Sequence, residues 1–380
     1  MDRIPFRMHN VTEKPLRLLV DCHVFDGNLQ GTTTYLKGLY TALISDRSIH
    51  FFLVAFDTDN LETIFGSHTN VTYLKYNSHN KFVRLLWEIP RLIKKNAIDY
   101  AHFQYVVPPI KNCRFIVTIH DVLFLDYTQY FPLSYRVKNK FLFKKSAESS
   151  NIVLTVSNYS KTQIQKHFQI PEVTITPNAV DAAFVDSYDK PTVQAQVKDK
   201  FDIENYWVFT SRWEPRKNHI SLLKCFVENE HYKIYELVFI GDMAIGDPLY
   251  TEYYNALDQK IKDRVITLAK VNFEDLVSLI RGATLSVYPS IAEGFGIPPL
   301  ESLAAGIPTA SSNTTAMADF GFLGNCHFNP LDLCDMNAKI INALSDKNVV
   351  EKRTAMLQEY NWAAAADNFK SAVFNDRNRR

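Results

Sequence analysis

The sequence predicts an α/β protein built from two doubly wound parallel sheets. Three observations carry that prediction. Short β-branched and aromatic runs alternate with amphipathic stretches along almost the whole chain, the pattern of parallel strands joined by crossover helices. The 380 residues would force ten or more strands into one sheet, so two sheets are expected. The composition, 46% apolar and 22% charged, is that of a packed globular chain and excludes disordered, collagenous and coiled-coil proteins.

In the first half, LRLLVDC (16–22), FFLVAF (51–56), VTYLKY (71–76), YAHF (100–103), RFIVTIH (114–120), NIVLTVS (151–157) and VTITP (173–177) read as strands. Helices fit near 32–45, 82–95, 133–149 and 158–168. In the second half, YWVFTS (206–211), ELVFIG (236–241), RVITLA (264–269) and ATLSVYP (283–289) read as strands. Helices there fit 218–228, 249–260, 273–281, 298–305 and 335–344. Residues 183–204 lack strand periodicity and carry Pro191 and several charges, as a linker would. The expected domains are therefore 1–182 and 205–360. The segment 360–375 is Ala-rich with Trp362 and Phe369 seven apart, a helix with one apolar stripe that needs a surface to pack on.

Lys plus Arg exceed Asp plus Glu by one, which argues against a dedicated nucleic-acid binder. The five cysteines form no zinc spacing and read as reduced thiols. No run of 18 apolar residues suggests a membrane span, and the first 15 residues lack the apolar core of a secretory signal. A cytoplasmic protein is expected.

Ligands of open parallel sheets bind at the carboxyl ends of strands. After YWVFTS come Arg212, Arg216 and Lys217. Guanidinium forks, an ammonium and a following helix start all favour an anion such as a phosphate, although a solvated basic turn would look the same. After ATLSVYPS comes IAEGFGIPPLESLAAGIP (291–308). Gly294 and Gly296 permit close backbone approach, and Pro298 and Pro299 suit a first helical turn whose free amides can face an anion or sugar hydroxyls. Glu293 and Glu301 are spaced to flank one ligand. A first-turn carboxylate complementing the helix dipole is the plainer reading of Glu301. His120 and Asp121 end another strand, where a histidine can hydrogen-bond a sugar, move a proton, or simply be structural. Gly27 and Gly31 bracket a loop before the helix near Thr32, but no dinucleotide or P-loop fingerprint is present. Asp57-Thr58-Asp59 could hold a divalent ion, and reads equally as a solvated turn.

Together these segments resemble the retaining glycosyltransferases of family four. The specific parts are EGFGIPPLE (293–301), which is similar to the family's Glu, seven residues, Glu signature, and SRWEPRKN (211–218), which is similar to its pyrophosphate-binding turn. FIVTIHDVLFL (115–125) resembles acceptor-domain segments of polysaccharide mannosyltransferases. The resemblance implies the GT-B architecture: two facing Rossmann-like domains with a cleft between them, the C-terminal helix (361–380) returning to the first. Arg212 and Lys217, supported by Arg216, would bind the donor diphosphate, and Glu301 the ribose hydroxyls. Glu293, His120 and the amides of Phe295, Gly296 and Ile297 would contact the transferred sugar. Gly31 would let its loop approach the diphosphate. The implied reaction moves a hexose, mannose from GDP-mannose being favoured, to a glycan or lipid-linked saccharide of bacterial surface polysaccharide. No metal or other cofactor is implied, since the cations replace the metal; the nucleotide sugar is a co-substrate. A UDP-hexose donor, a metal-dependent transferase using Asp57 and Asp59, and a non-catalytic nucleotide-sugar-binding subunit are the alternatives. The basic aromatic stretches 81–95 and 132–148 read either as packed helices with a snorkelling rim or as peripheral contacts with the cytoplasmic face of the inner membrane.

Overall fold

The computed structural model describes residues 14–27 and 31–379. Thirteen strands are formed among them. They are β1 (Leu16–Asp21), β2 (Ile49–Ala55), β3 (Val71–Lys75), β4 (Tyr100–Gln104), β5 (Arg114–Thr118), β6 (Ile152–Thr155), β7 (Thr174–Ile175), β8 (Tyr206–Thr210), β9 (Glu236–Ile240), β10 (Val265–Leu268), β11 (Leu285–Tyr288), β12 (Thr309–Ser312) and β13 (His327–Phe328). Strand order is β3-β2-β1-β4-β5-β6-β7 in one sheet and β10-β9-β8-β11-β12-β13 in the other. The β1–β2, β8–β9 and β11–β12 registers are parallel. The α/β class with two Rossmann-like parallel sheets is as the alternation predicts. Strands such as β8 and β9 are buried along their whole length, which is why they read as continuous rather than alternating apolar runs.

The chain forms two compact units, residues 1–117 with 149–151, and residues 118–148 with 152–380. In the first unit, Leu18, Val20, Phe51 and Leu53 are fully buried, as are Tyr35, Leu36 and Leu39 of the helix Gly31–Leu43, whose Tyr40 ring meets Phe51 edge-on. In the second, Trp207, Phe209, Phe239, Leu222 and Phe226 form one core with Val287 and Ile340.

The sequence reading has no counterpart of β12, β13 or the helix Val349–Glu359, and three further elements depart from it. Residues 183–204 hold the helix Lys190–Phe201, begun by Asp189, whose side chain accepts from the Thr192 amide, with Pro191 in the first turn. Proline there marks a helix start rather than a break. Asp57 likewise opens a helix, Thr58–Phe65, by accepting from the Asn60 amide. The Asp-x-Asp triplet is thus a helix cap and first turn, with both carboxylates exposed. The helix near 82–95 contains a π-helical turn, Arg84–Glu88.

The C-terminal helix, Trp362–Asn378, buries Phe369 and Val373. Asn368 Nδ2 donates to the Ile175 carbonyl of β7 at 3.0 Å, and Arg379 pairs with Glu172 at 2.7 Å. Among the described residues no helix is long and apolar enough to cross a membrane.

Candidate active site

The site is assembled in the second unit from loops at the carboxyl ends of β8 and β11. After β8 the chain makes a 3₁₀ turn, Pro215–Lys217, and then a left-handed residue, Asn218 (φ 63°), before the helix His219–Glu228. Asn218 Nδ2 donates to the Pro289 carbonyl at 3.1 Å and the Pro330 carbonyl at 2.8 Å. The Ile291 amide donates to the Arg216 carbonyl at 2.8 Å. The loops after β8, β11 and β13 are thereby laced together before any charged side chain is considered.

Onto this frame the sequence hangs a cluster of charges. Lys217 Nζ lies 2.5 Å from Glu293 Oε1, and Arg216 Nη1 lies 3.2 Å from Glu293 Oε2. Arg216 Nε pairs with Glu214 at 2.7 Å, and Arg212 reaches the other oxygen of Glu214 at 3.0 Å. Arg216, Lys217, Glu214 and Glu293 are largely buried, whereas the Arg212 side chain is 62% exposed. Burial would raise the Glu293 pKa, but Lys217 and then Arg216 outweigh it and hold the carboxyl at about 2. Burial pushes the Lys217 ammonium below its usual value, with Glu293 working against that shift. Arg216 and Lys217 are paired within the cluster, where Asp121 also acts on both, whereas Arg212 stands largely in solvent, where its guanidinium can meet an incoming anion.

The Glu293 loop is held at its backbone. Ser157 and Ser160 hydroxyls both donate to the Gly294 carbonyl, at 2.7 and 3.0 Å. A Cβ on Gly294 would stand 2.6 Å from Asp121 Cβ, so glycine lets the His120–Asp121 strand end come close. Gly296 has φ +103°, and a Cβ there would also meet Met317 at 2.9 Å. The Phe295 ring is buried edge-on against Phe320 and Tyr360, so only its amide is available to a ligand. None of the amides of Phe295, Gly296 and Ile297 donates to another described residue. They open the helix Ile297–Ala304, where free N–H groups and the helix dipole favour an anion or hydroxyl oxygens.

Glu301 lies beyond the first turn of that helix, which holds no acidic residue. The dipole-complementing reading therefore fails, because the carboxyl group is too far along the helix. Burial, with Asp181 adding to it, raises its pKa to about 7. His120 is buried, and burial pushes its imidazole down to about 3. It is neutral at pH 7, so it hydrogen-bonds rather than shuttles protons. Gly31 begins the helix Gly31–Leu43 in the first unit, is exposed, and has no atom within 4 Å of where a Cβ would stand. Packing does not require glycine there, and residues 28–30 of its loop lie outside the described residues.

The structure thus brings Arg212, Arg216, Lys217 and Glu293 into direct contact, and sets the Phe295–Ile297 amides next to them in the chain. Sequence reasoning missed Glu214, which holds both arginines, and Ser157 and Ser160, which hold the Glu293 loop from more than 130 residues away in sequence. Glu214 lay inside SRWEPRKN and was readable as a carboxylate among cations. The serines carried no such signal.

Residues 29–184 match the family model described as Glycosyltransferase Family 4, and residues 192–361 match that described as Glycosyl transferases group 1. The chain is 26% identical over 313 residues to O-antigen chain mannosyltransferase B of Escherichia coli, covering 76% of this chain and 81% of that protein. It is 27% identical over 278 residues to O-antigen chain mannosyltransferase RfbU of Salmonella typhimurium, covering 71% and 70%. Among solved structures it is similar to sucrose-phosphate synthase of Thermosynechococcus elongatus, with a TM-score of 0.73 at 17% identity over 97% of this chain and 100% of that one.

Proposed function

The chain belongs to the group 1 glycosyltransferases of family 4, and we propose that it transfers mannose from GDP-mannose, with retention of configuration, to a saccharide acceptor of bacterial surface polysaccharide. That it is a hexosyltransferase follows from the family and its mannosyltransferase relatives. The observation that supports transfer from a nucleotide-diphosphate sugar is the Arg216–Lys217–Glu293 cluster, adjoining the unpaired amides of Phe295, Gly296 and Ile297, and the mannosyltransferase relatives favour mannose as the sugar.

In the transfer, the bond between the sugar's anomeric carbon and the β-phosphate oxygen breaks, and a bond to the acceptor oxygen forms. The acceptor's proton passes to the departing phosphate, so no protein base is required. Negative charge grows on the β-phosphate while the sugar becomes cation-like. Lys217 and the exposed Arg212 would meet the growing anion, a stabilisation larger in the transition state than in the ground state. Glu293, held ionised, would face the cation-like sugar. The amides at the helix start would take its hydroxyl oxygens, and neutral His120 would offer one further hydrogen bond. Glu301, which burial holds near its titration point, would accept from the ribose diol in its ionised form. In this assignment the cations do the work of a metal ion, and no cofactor takes part.

Contact with the membrane is part of the same proposal. On the helix Leu133–Ser149, Leu133, Val137 and Phe141 are 63–68% exposed and recur every fourth residue. Exposed Lys138, Lys140 and Lys145 flank that stripe. An apolar stripe with a lysine rim suits the anionic cytoplasmic face of the inner membrane, where a lipid-linked acceptor would lie.

The test is turnover of GDP-mannose against UDP-, dTDP- and ADP-hexoses, with and without EDTA. GDP-mannose should be consumed fastest, EDTA should leave the rate unchanged, and NMR of the product should show an α-linked mannose. Exclusive use of a UDP-hexose, or loss of activity in EDTA that a divalent ion restores, would overturn the assignment.

A further inference from the structure

Glu214 stands between the two arginines of the turn after β8, and the backbone around it is fixed on both sides. Its own backbone is extended (φ −146°, ψ 141°), the conformation imposed on a residue that precedes proline, here Pro215. On one side the Trp213 amide donates to the Asp242 carbonyl, and the Ile245 amide donates to the Trp213 carbonyl, both at 2.9 Å. On the other, the Glu214 carbonyl accepts from the Lys217 amide at 2.8 Å. The Glu214 side chain is largely buried.

The two carboxylate oxygens have different tasks. Oε2 accepts from Arg216 Nε at 2.7 Å. Arg216 is also held through Nη1, by the Ala292 carbonyl at 2.8 Å and Glu293 at 3.2 Å. It would keep those contacts without Glu214. Oε1 pairs with Arg212 Nη2 at 3.0 Å, and among the described residues Glu214 is the one partner of that guanidinium. The direction of Arg212 therefore depends on Glu214. A guanidinium has several N–H donors, so a contact through Nη2 leaves Nε and Nη1 for an anion. An unheld arginine samples many rotamers, and a ligand that must select one of them binds at a cost; an arginine already held does not impose it. The carboxylate also repels an incoming diphosphate, so the arrangement favours direction over net charge. We propose that Glu214 is a positioning residue for the transfer, which aims the Arg212 guanidinium at the donor diphosphate without touching the donor. The proposal rests on the reading of this site as the donor site.

The test is a double-mutant cycle on Glu214 and Arg212, run with whichever nucleotide sugar the wild-type protein turns over. Glu214→Gln keeps the shape and removes the charge. It should lower kcat about tenfold, because the aim of the N–H groups matters most while charge grows on the leaving phosphate. Its affinity for GDP or UDP, read by calorimetry, should stay within about threefold of wild type, since lost direction and lost repulsion oppose each other. In the Arg212→Ala background, Glu214→Gln should change kcat by less than about twofold. Arg212→Lys alters an exposed side chain, so its result does not depend on how the buried charges tolerate change. It keeps the positive charge but not the fork that serves a carboxylate and a phosphate together, and should lose about as much kcat as Glu214→Gln. Wild-type kcat in Glu214→Gln or in Arg212→Lys, or a loss that persists in the Arg212→Ala background, would overturn the proposal. So would a parallel fall of kcat and nucleotide affinity in Glu214→Gln, which would mark the residue as a support of the loop alone. A wild-type protein that binds neither GDP nor UDP would overturn the donor site itself, and this proposal with it.

Discussion

Glu293 and Glu301 stand eight residues apart on one loop and the helix that follows it, and the pKa values of their carboxyl groups are shifted in opposite directions. Burial acts on both. At Glu293, Lys217 and Arg216 overcome it and hold the pKa at about 2. At Glu301 nothing opposes it, Asp181 adds to it, and the pKa rises to about 7. The difference lies in the cations that other loops deliver, not in the residue type. One carboxylate is therefore a fixed charge, suited to a developing sugar cation. The other sits near its titration point, suited to a ligand that donates hydrogen bonds to it.

The largest expected effect comes from removing the cation that separates the two. Lys217→Ala should lower kcat/KM for the donor by about 10²–10³, the usual cost of losing one transition-state charge contact. A variant within threefold of wild type would show that the Lys217–Glu293 contact shapes the loop without serving the reaction.

The second effect sharpens the comparison through pH. A carboxyl group held below its unfolded value stabilises the fold above that value and loses the contribution as pH falls through the folded one. For Glu293 that window runs from the model-peptide value of 4.5 down to about 2. A raised carboxyl group works the other way: the native state keeps its proton longer than the unfolded chain does. Stability then declines as pH rises from 4.5 to about 7 and levels off above. Glu301→Gln should remove that decline, raising Tm at pH 7.5 by roughly 2–4 °C while weakening donor binding. Thermal melts at pH 5, 6, 7 and 8 read this directly, and equal slopes in variant and wild type would exclude Glu301 as the titrating group.

The smallest effect concerns a carboxylate with neither role. Asp57 caps the helix Thr58–Phe65, so Asp57→Ala should cost about 1 kcal/mol of stability. Donor turnover should be unchanged, with or without EDTA. A fall in turnover that added divalent ions rescue would return Asp57 to the chemistry.

Strands with buried faces on both sides were legible because their residues are apolar without interruption, as in YWVFT and ELVFI. β12 and β13 were not: TASS is buried yet small and polar, and HF is two residues long. The helix Lys190–Phe201 was hidden by its own surface, with Val197 its only buried residue. In the site, the spacing of Glu293 and Glu301 and the run of cations near 212–217 were visible because they are local in sequence. The grip of Ser157 and Ser160 on Gly294 is a contact between distant segments, and single residues of an ordinary type announce no such partner.

Asn218 has a consequence for how far this sequence can drift. Its backbone is left-handed, which glycine and asparagine tolerate best, and its side chain must supply two N–H groups to two carbonyls. Glycine would meet the first demand and fail the second. Aspartate, the nearest in shape, would turn two attractions into two repulsions between oxygens. Two unrelated requirements thus narrow this position to asparagine, although its side chain carries no charge. Variation among working versions of this enzyme should be scarcer at Asn218 than at Arg212, whose side chain is largely in solvent.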